Sequence, residues 1–129
     1  MWNINLSKNT VAGIAVVFLD ITSKLFVRNF TNIKIIENRD LPFGINLGSG
    51  FFNLAAVMIA LAIFVWIFRR NGLGFVLIVS GALSNIIDRI DGSVVDFINI
   101  GISTLNLADF AIMGGIAMIA FRAIKIPNS

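Results

Sequence analysis

Three short runs concentrate carboxylates and carboxamides between two strongly apolar stretches: Asn85-Ile86-Ile87-Asp88-Arg89, Val94-Val95-Asp96-Phe97 and Asn106-Leu107-Ala108-Asp109. Asp96 and Asp109 stand 13 residues apart, each with an Asn or Arg nearby. Two carboxylates held close together cannot both ionise easily, so one keeps a proton near neutral pH. The ionised member can then take a proton from water while the protonated member hydrogen-bonds the carbonyl oxygen under attack. That is peptide hydrolysis with neither a covalent intermediate nor a metal. The spacing alone is equally compatible with two unrelated aspartates near helix ends, where an acid suits the helix dipole.

Other polar residues fall where they could serve such a site. Asn106 and Asp109 are i and i+3 at the start of an apolar run and share a face, and Asn106 is equally suited to be an N-cap. Gly81, Asn85 and Arg89 follow at i, i+4 and i+8, with Asp88 beside that line. Gly81 admits close approach of a backbone or a substrate, and Asn85 and Arg89 supply donors. The competing reading is helix–helix adhesion for Asn85 and an interfacial anchor for Asp88 and Arg89. Asp20 and Lys24 form an i, i+4 pair inside another apolar run, where pairing offsets part of the desolvation of each. A structural role for the pair is favoured over a proton path, and Lys24 is expected to snorkel outward. Asn46-Leu47-Gly48-Ser49-Gly50-Phe51 is glycine-rich but lacks a phosphate-binding lysine.

The rest of the composition narrows the chemistry. The chain has no His, no Cys and no Tyr. Imidazole-dependent triads, thiol nucleophiles, disulfides and Cys/His zinc sites are therefore excluded. Aspartate is left as the group able to move protons, and no cofactor or metal is implied. The pI is about 10.0, yet the basic residues are scattered near predicted helix ends. They form no stripe of the kind that binds nucleic acid.

The elements that must position these residues are membrane helices. Of the 129 residues, 57% are hydrophobic and 13% charged, about half the charge of an ordinary soluble domain. Four runs reach spanning length, at about 10–28, 51–68, 73–90 and 106–124. Together they predict one all-α integral membrane domain over residues 1–129. The run at 10–28 is interrupted by Asp20 and Lys24 with no small-residue cleavage site after it, so it is expected to be a retained span. Residues 33–38 have β character and precede Pro42, Gly44, Gly48 and Gly50, which predicts a small β-like cradle between the first two helices.

Charge distribution predicts the orientation. Lys8, the Arg69-Arg70-Asn71-Gly72 turn, Arg122 and Lys125 cluster at one set of ends, where no acid occurs. Glu37, Asp40, Asp88, Asp91, Asp96 and Asp109 lie in or beside the two other connections. The positive-inside rule then places both termini in the cytoplasm and the acidic residues outside, with Trp2 and Trp66 near the inner interface.

In order along the chain, Asp20-Ile21-Thr22-Ser23-Lys24, Asn46 to Phe51, Gly81 to Arg89, Val94 to Phe97 and Leu105 to Asp109 resemble the motifs of the lipoprotein signal peptidases (signal peptidase II). The likeness extends from about residue 20 to 110. Leu105 stands where that family usually has Phe, Ser49-Gly50 where Ala-Ala is common, and the 97–105 connection is trimmed. The resemblance implies a four-helix aspartyl endopeptidase of the bacterial inner membrane. Such an enzyme cleaves prolipoproteins just before a diacylglyceryl-modified Cys, near the outer face, without a cofactor. It assigns Asp96 and Asp109 to catalysis and Asn46, Gly81, Asn85, Arg89 and Asn106 to substrate binding or site shaping. Asp20, Lys24 and Asp88 receive supporting roles. The implied partners are the lipidated substrate and membrane lipids, with the chain acting as a monomer. The alternatives are a non-catalytic binder of lipidated peptides, motivated by the trimmed connection, and a proton-linked carrier built on Asp20 and Lys24.

Overall fold

The computed structural model describes residues 7–41, 45–68 and 72–125. Trp2, Pro42, Gly44 and the Arg69-Arg70-Asn71 turn, on which parts of the orientation and cradle expectations rest, lie outside the described residues. Among the described residues, four helices are long and apolar enough to cross a membrane. They are α1 (Lys8–Phe30), α2 (Gly50–Phe68), α3 (Leu73–Ile90) and α4 (Leu107–Lys125). The expected spans match within two residues at each end, and α1 is longer than expected at both. Its start is set by Ser7, whose side chain accepts from the Thr10 N–H.

α3 is the hub, packing against α4, α1 and, less extensively, α2. Small residues on two of its faces allow this. Toward α4, a Cβ on Gly81 would lie 2.5 Å from the Ala108 carbonyl oxygen, and one on Gly115 would lie 2.5 Å from that of Gly74. Toward α1, Ser80 meets Gly13 and buried Ser84 meets Asp20. Helices in lipid gain little from apolar burial against one another, so close backbone approach and interhelical hydrogen bonds hold them together. α2 is different: its run is strongly apolar and almost wholly exposed on the protein surface, as suits a helix surrounded by lipid. Phe64 stacks on Phe75 of α3, and Asn53, 2% exposed, ties the start of α2 to the preceding segment. Its side chain accepts from the Leu47 N–H and donates to the Arg39 carbonyl.

Four short strands gather at the end of the bundle that carries the carboxylates. They are β1 (Ile36–Asn38), β2 (Val94–Asp96), β3 (Ile98–Asn99) and β4 (Thr104–Leu105). The predicted β segment between α1 and α2 is present as β1, but the cradle is not built from that connection alone. β1 pairs antiparallel with β2 from the α3–α4 connection, with Ile36 opposite Asp96 and Asn38 opposite Val94. A three-residue strand cannot satisfy its own backbone groups, and β2 supplies the partners. The trimmed 97–105 connection is itself a hairpin, β3 pairing with β4. Its turn is closed by Ile100 N–H donating to the Ser103 carbonyl, with Gly101 at φ +93°. That backbone conformation is open to glycine and strained for most other residues.

The two adjacent glycines of α4 make the packing testable. Gly115 faces Gly74 and Ile78, whereas a Cβ on Gly114 would meet nothing within 4 Å. Gly115→Val is expected to destabilise the detergent-solubilised protein by about 1–3 kcal/mol through overpacking. Gly114→Ala is expected to be neutral or stabilising by up to about 1 kcal/mol, because Ala is the better helix former. Thermal unfolding of the two variants side by side checks this, and equal effects would contradict the close-approach account.

Candidate active site

The start of α4 is a reciprocal cap. Asn106 Oδ1 accepts from the Asp109 N–H, and Asp109 Oδ2 accepts from the Asn106 N–H, both at 3.0 Å. This is the capping-box arrangement, two orphan helix donors satisfied by the residues at the cap and three positions on. Asn106 is therefore the N-cap that its position suggested. It also does more: its Nδ2 donates to Asp96 Oδ1 at 2.7 Å and to Asn85 Oδ1 at 3.1 Å.

The β3–β4 hairpin explains how residues 13 apart come together. Phe97 N–H donates to the Leu105 carbonyl, so the chain leaving Asp96 returns beside the residue that precedes Asn106. Asp96 is only 4% exposed and Asn106 fully buried. Asp109 is half-buried at the mouth of α4. Burial pushes the Asp96 carboxyl up to about 6. The nearby Asp109 charge adds to this, while hydrogen bonds from Asn106 and Asn38 and the Lys24 charge oppose it. The two carboxyls thus sit within electrostatic reach of each other, joined through one asparagine.

From α3, Asn85 Nδ2 donates to Asp109 Oδ1 at 3.0 Å, and Asn85 Oδ1 accepts from Lys24 Nζ at 3.2 Å. Lys24 does not snorkel outward as expected. It is 5% exposed, 2.5 Å from Asp20 Oδ2 and 2.7 Å from Asp88 Oδ2. Three polar partners inside the bundle hold the ammonium better than the interface would. Asp20 is fully buried and accepts three donors, from Lys24, from Ser84 Oγ at 2.6 Å and from the Ala108 N–H at 2.9 Å. Asp88 also accepts from the Val95 N–H at 3.3 Å.

Asp88 and Arg89 do not act together as the interfacial anchor of the competing reading. Successive helical residues diverge by about 100°. Asp88 turns to Lys24, and Arg89 Nη2 donates to the Asp40 carbonyl at 2.8 Å. Arg89 thereby clamps the α1–α2 connection onto α3, within electrostatic range of Asp96 and Asp109. Asn46 lies further out, exposed, donating to Asp40 Oδ1 at 2.6 Å and accepting from the Gly48 N–H. It shapes the loop that Arg89 holds and has no bond to either aspartate. Gly81 shapes the site from behind: the backbone it admits is that of α4 at Ala108, one residue before Asp109.

Ser84, Asn53 and Asn38 were not singled out from the sequence. Asn53 carried a signal, a carboxamide one turn into an otherwise uncharged apolar run. Ser84 lies one residue before Asn85 on a face that small residues mark for α1. Asn38 had none, since its relevance depends on strand pairing between distant segments. Among the described residues, no buried side-chain nitrogen or oxygen lacks a partner.

Four spanning helices that enclose a pair of aspartates in a web of carboxamides describe a membrane-embedded enzyme whose polar chemistry is carboxylate chemistry. A family model described as Signal peptidase (SPase) II matches residues 5–125. The lipoprotein signal peptidase of Thermodesulfovibrio yellowstonii is 35% identical over 122 residues, covering 87% of this chain and 83% of that protein. The lipoprotein signal peptidase of Caldicellulosiruptor bescii is 38% identical over 101 residues, covering 73% and 67%. The fold is shared with a bacterial membrane enzyme solved by the in meso method at 2.3 Å resolution, with a TM-score of 0.78. That likeness has 22% identity and covers 94% of this chain and 90% of the other. The chain belongs to the signal peptidase II family, and is thus an aspartic-type peptidase of the bacterial inner membrane.

The Asp96 environment has a consequence for stability. Its carboxyl is raised in the folded protein, so its contribution favours folding at low pH and is lost as pH rises through about 6. Asp96→Asn keeps an acceptor for Asn106 and removes the ionisation. Its stability relative to the parent is expected to rise by about 1.4 kcal/mol between pH 5 and pH 8, since the dependence runs only from the ordinary carboxylate range up to about 6 and levels off above it. Thermal unfolding of both proteins at the two pH values measures this. A stability difference that stays constant with pH would contradict the assignment.

Proposed function

We propose that this chain removes signal peptides from diacylglyceryl-modified prolipoproteins by cleaving before the lipidated Cys, with Asp96 and Asp109 as the catalytic pair. The observation that carries the reading is Asn106, whose carboxamide and backbone N–H bond both aspartates at once. The two carboxyls are made unequal by their surroundings. Asp109 receives a donor on each oxygen, from Asn85 and from the Asn106 N–H, which suits the ionised base. Asp96, buried and raised to about 6, suits the member that holds the proton.

In the first step a water between the two gives a proton to Asp109 as its oxygen attacks the scissile carbonyl carbon. Asp96 passes its proton to the carbonyl oxygen, giving a neutral gem-diol. Asp96 then recovers a proton from that intermediate while Asp109 delivers its own to the leaving nitrogen, which departs as the amine of the lipidated Cys. Both carboxyls end as they began. The substrate arrives sideways from the bilayer, its acyl chains remaining in lipid. The acidic end of the bundle faces outward and both termini face the cytoplasm, a reading supported by Lys8, Arg122 and Lys125 at the opposite helix ends. We read the active form as a monomer, because Asn85, Asn106, Asp96 and Asp109 bond one another within a single chain.

The trimmed 97–105 connection that motivated a non-catalytic binder folds as the hairpin that brings the aspartates together, so no observation favours that alternative. A carrier built on Asp20 and Lys24 is disfavoured because both are committed to internal partners.

Purified protein incubated with a diacylglyceryl-modified prolipoprotein is expected to release a product whose mass begins at the modified Cys. Asp96→Asn and Asp109→Asn should each lower turnover by at least about 10³-fold, the order expected for essential acid–base groups. Retained turnover in either variant removes that residue from the pair. For the parent, kcat/KM should fall as pH rises above about 6, because the proton on Asp96 is lost. A profile still rising between pH 6 and 8 would contradict Asp96 as the acid.

A further inference from the structure

We propose that Lys24, on α1, is a positioning residue that fixes the direction of the hydrogen bonds feeding the catalytic pair. The inference rests on reading Asp96 and Asp109 as that pair. An ammonium can only donate. Lys24 Nζ lies 3.2 Å from Asn85 Oδ1, and with Asn106 Nδ2 as the second donor on that oxygen it turns the carboxamide of Asn85 so that Nδ2 meets Asp109 Oδ1. The Asp109 N–H, also donor-only, fixes Asn106 in the same way: Oδ1 toward the N–H, Nδ2 toward Asp96 and Asn85. Two amides that could each be flipped are thereby locked so that both present N–H groups to carboxylates.

Lys24 also anchors the backbone on either side. Its two carboxylate partners accept the N–H of the residue just before each catalytic aspartate, Asp20 from Ala108 and Asp88 from Val95. One buried cation thus organises the approach to both reacting groups, although it bonds neither. The geometry predicts a defect in the chemical step rather than in substrate binding.

The test uses the full chain in lipid nanodiscs with a diacylglyceryl-modified peptide, reading kcat and KM per folded enzyme. Lys24→Gln can present either its oxygen or its nitrogen to Asn85, leaving Asn106 Nδ2 alone to hold the orientation. It should lower kcat by about 10- to 100-fold, the scale of a small misplacement of catalytic groups, with KM within about twofold. Combined with Asn85→Leu it should be no worse than the worse single change, since both interrupt one path. Lys24→Arg, still donor-only, should recover part of the lost kcat. If Lys24→Gln does not accumulate in folded form, Lys24→Gln/Asp88→Asn leaves Asp20 held by Ser84 and Ala108 and is judged by the same criteria. A kcat within threefold of the parent, a loss confined to KM, or additive effects of Lys24→Gln and Asn85→Leu would overturn the inference. Activity retained by Asp109→Asn would instead sink the reading beneath it, so the two failures are distinguishable.

Discussion

A carboxylate in the interior of a membrane helix bundle has no water to solvate it, so the protein must supply its donors. Asp20 receives three, and they come from three helices: Lys24 from its own α1, Ser84 from α3 and the Ala108 N–H from α4. Each bond constrains a different degree of freedom. Ser84 sets the rotation of α3 against α1, and Ala108 sets the height of α4. A buried ion pair is weak evidence of net stability, because desolvation offsets much of the Coulombic gain. What Asp20 provides is register. A shift of α4 by one residue would take the Ala108 N–H from Asp20 and leave it two of its three donors, at a cost of about 1–3 kcal/mol.

Register matters because the two aspartates proposed as the reacting pair each sit on the very end of an element. Asp109 occupies the third position of α4, and Asp96 ends a three-residue strand. Neither is gripped on both sides by regular structure. The fold compensates by closing short loops around them: the β3–β4 hairpin joins the two, β1 braces β2, and Arg89 pins the α1–α2 connection through the Asp40 carbonyl. Gly81 completes the frame, since a larger residue there would push Ala108, and with it Asp109, away from α3.

How much of this was legible in the sequence follows from the range of each interaction. The four spans were readable because length and hydropathy are local properties and α-helices satisfy their own backbone. The Asn106–Asp109 cap was readable for the same reason, being three residues long. Asp20 and Lys24 were readable as a pair at i, i+4, but the further partners of Lys24 were not. Asp88 and Asn85 lie more than sixty residues away in the chain, and nothing local shows that α1 and α3 meet there. β1 was legible as a strand, whereas its partner β2 was not, because strand pairing between distant connections leaves no periodicity. The 97–105 segment was judged by what it lacked relative to the family. Its real content, a hairpin with Gly101 at the turn, depended on backbone bonds that side-chain identity barely encodes.

The same burial that makes Asp96 useful makes it unfavourable to keep. On the proposed mechanism, in a chain without imidazole or thiol, one carboxyl holds a proton near neutral pH while its neighbour does not, and only environment can separate them. Asp109, half-buried and with a donor on each oxygen, stays close to solvent at the mouth of α4. Asp96, 4% exposed and beside the Asp109 charge, is driven the other way. A fully satisfied Asp96, with a donor on every lone pair, would be a more stable carboxylate and would hold no proton near neutral pH to give. The carboxamides of Asn85 and Asn106 are therefore better suited to this site than cations would be. They offer directed N–H groups that hold both carboxyls in place, yet carry no net charge that would pull the proton off Asp96. The nearest buried cation, Lys24, sits behind Asn85, where its ammonium holds that amide while its charge offsets only part of what burial and Asp109 do to Asp96.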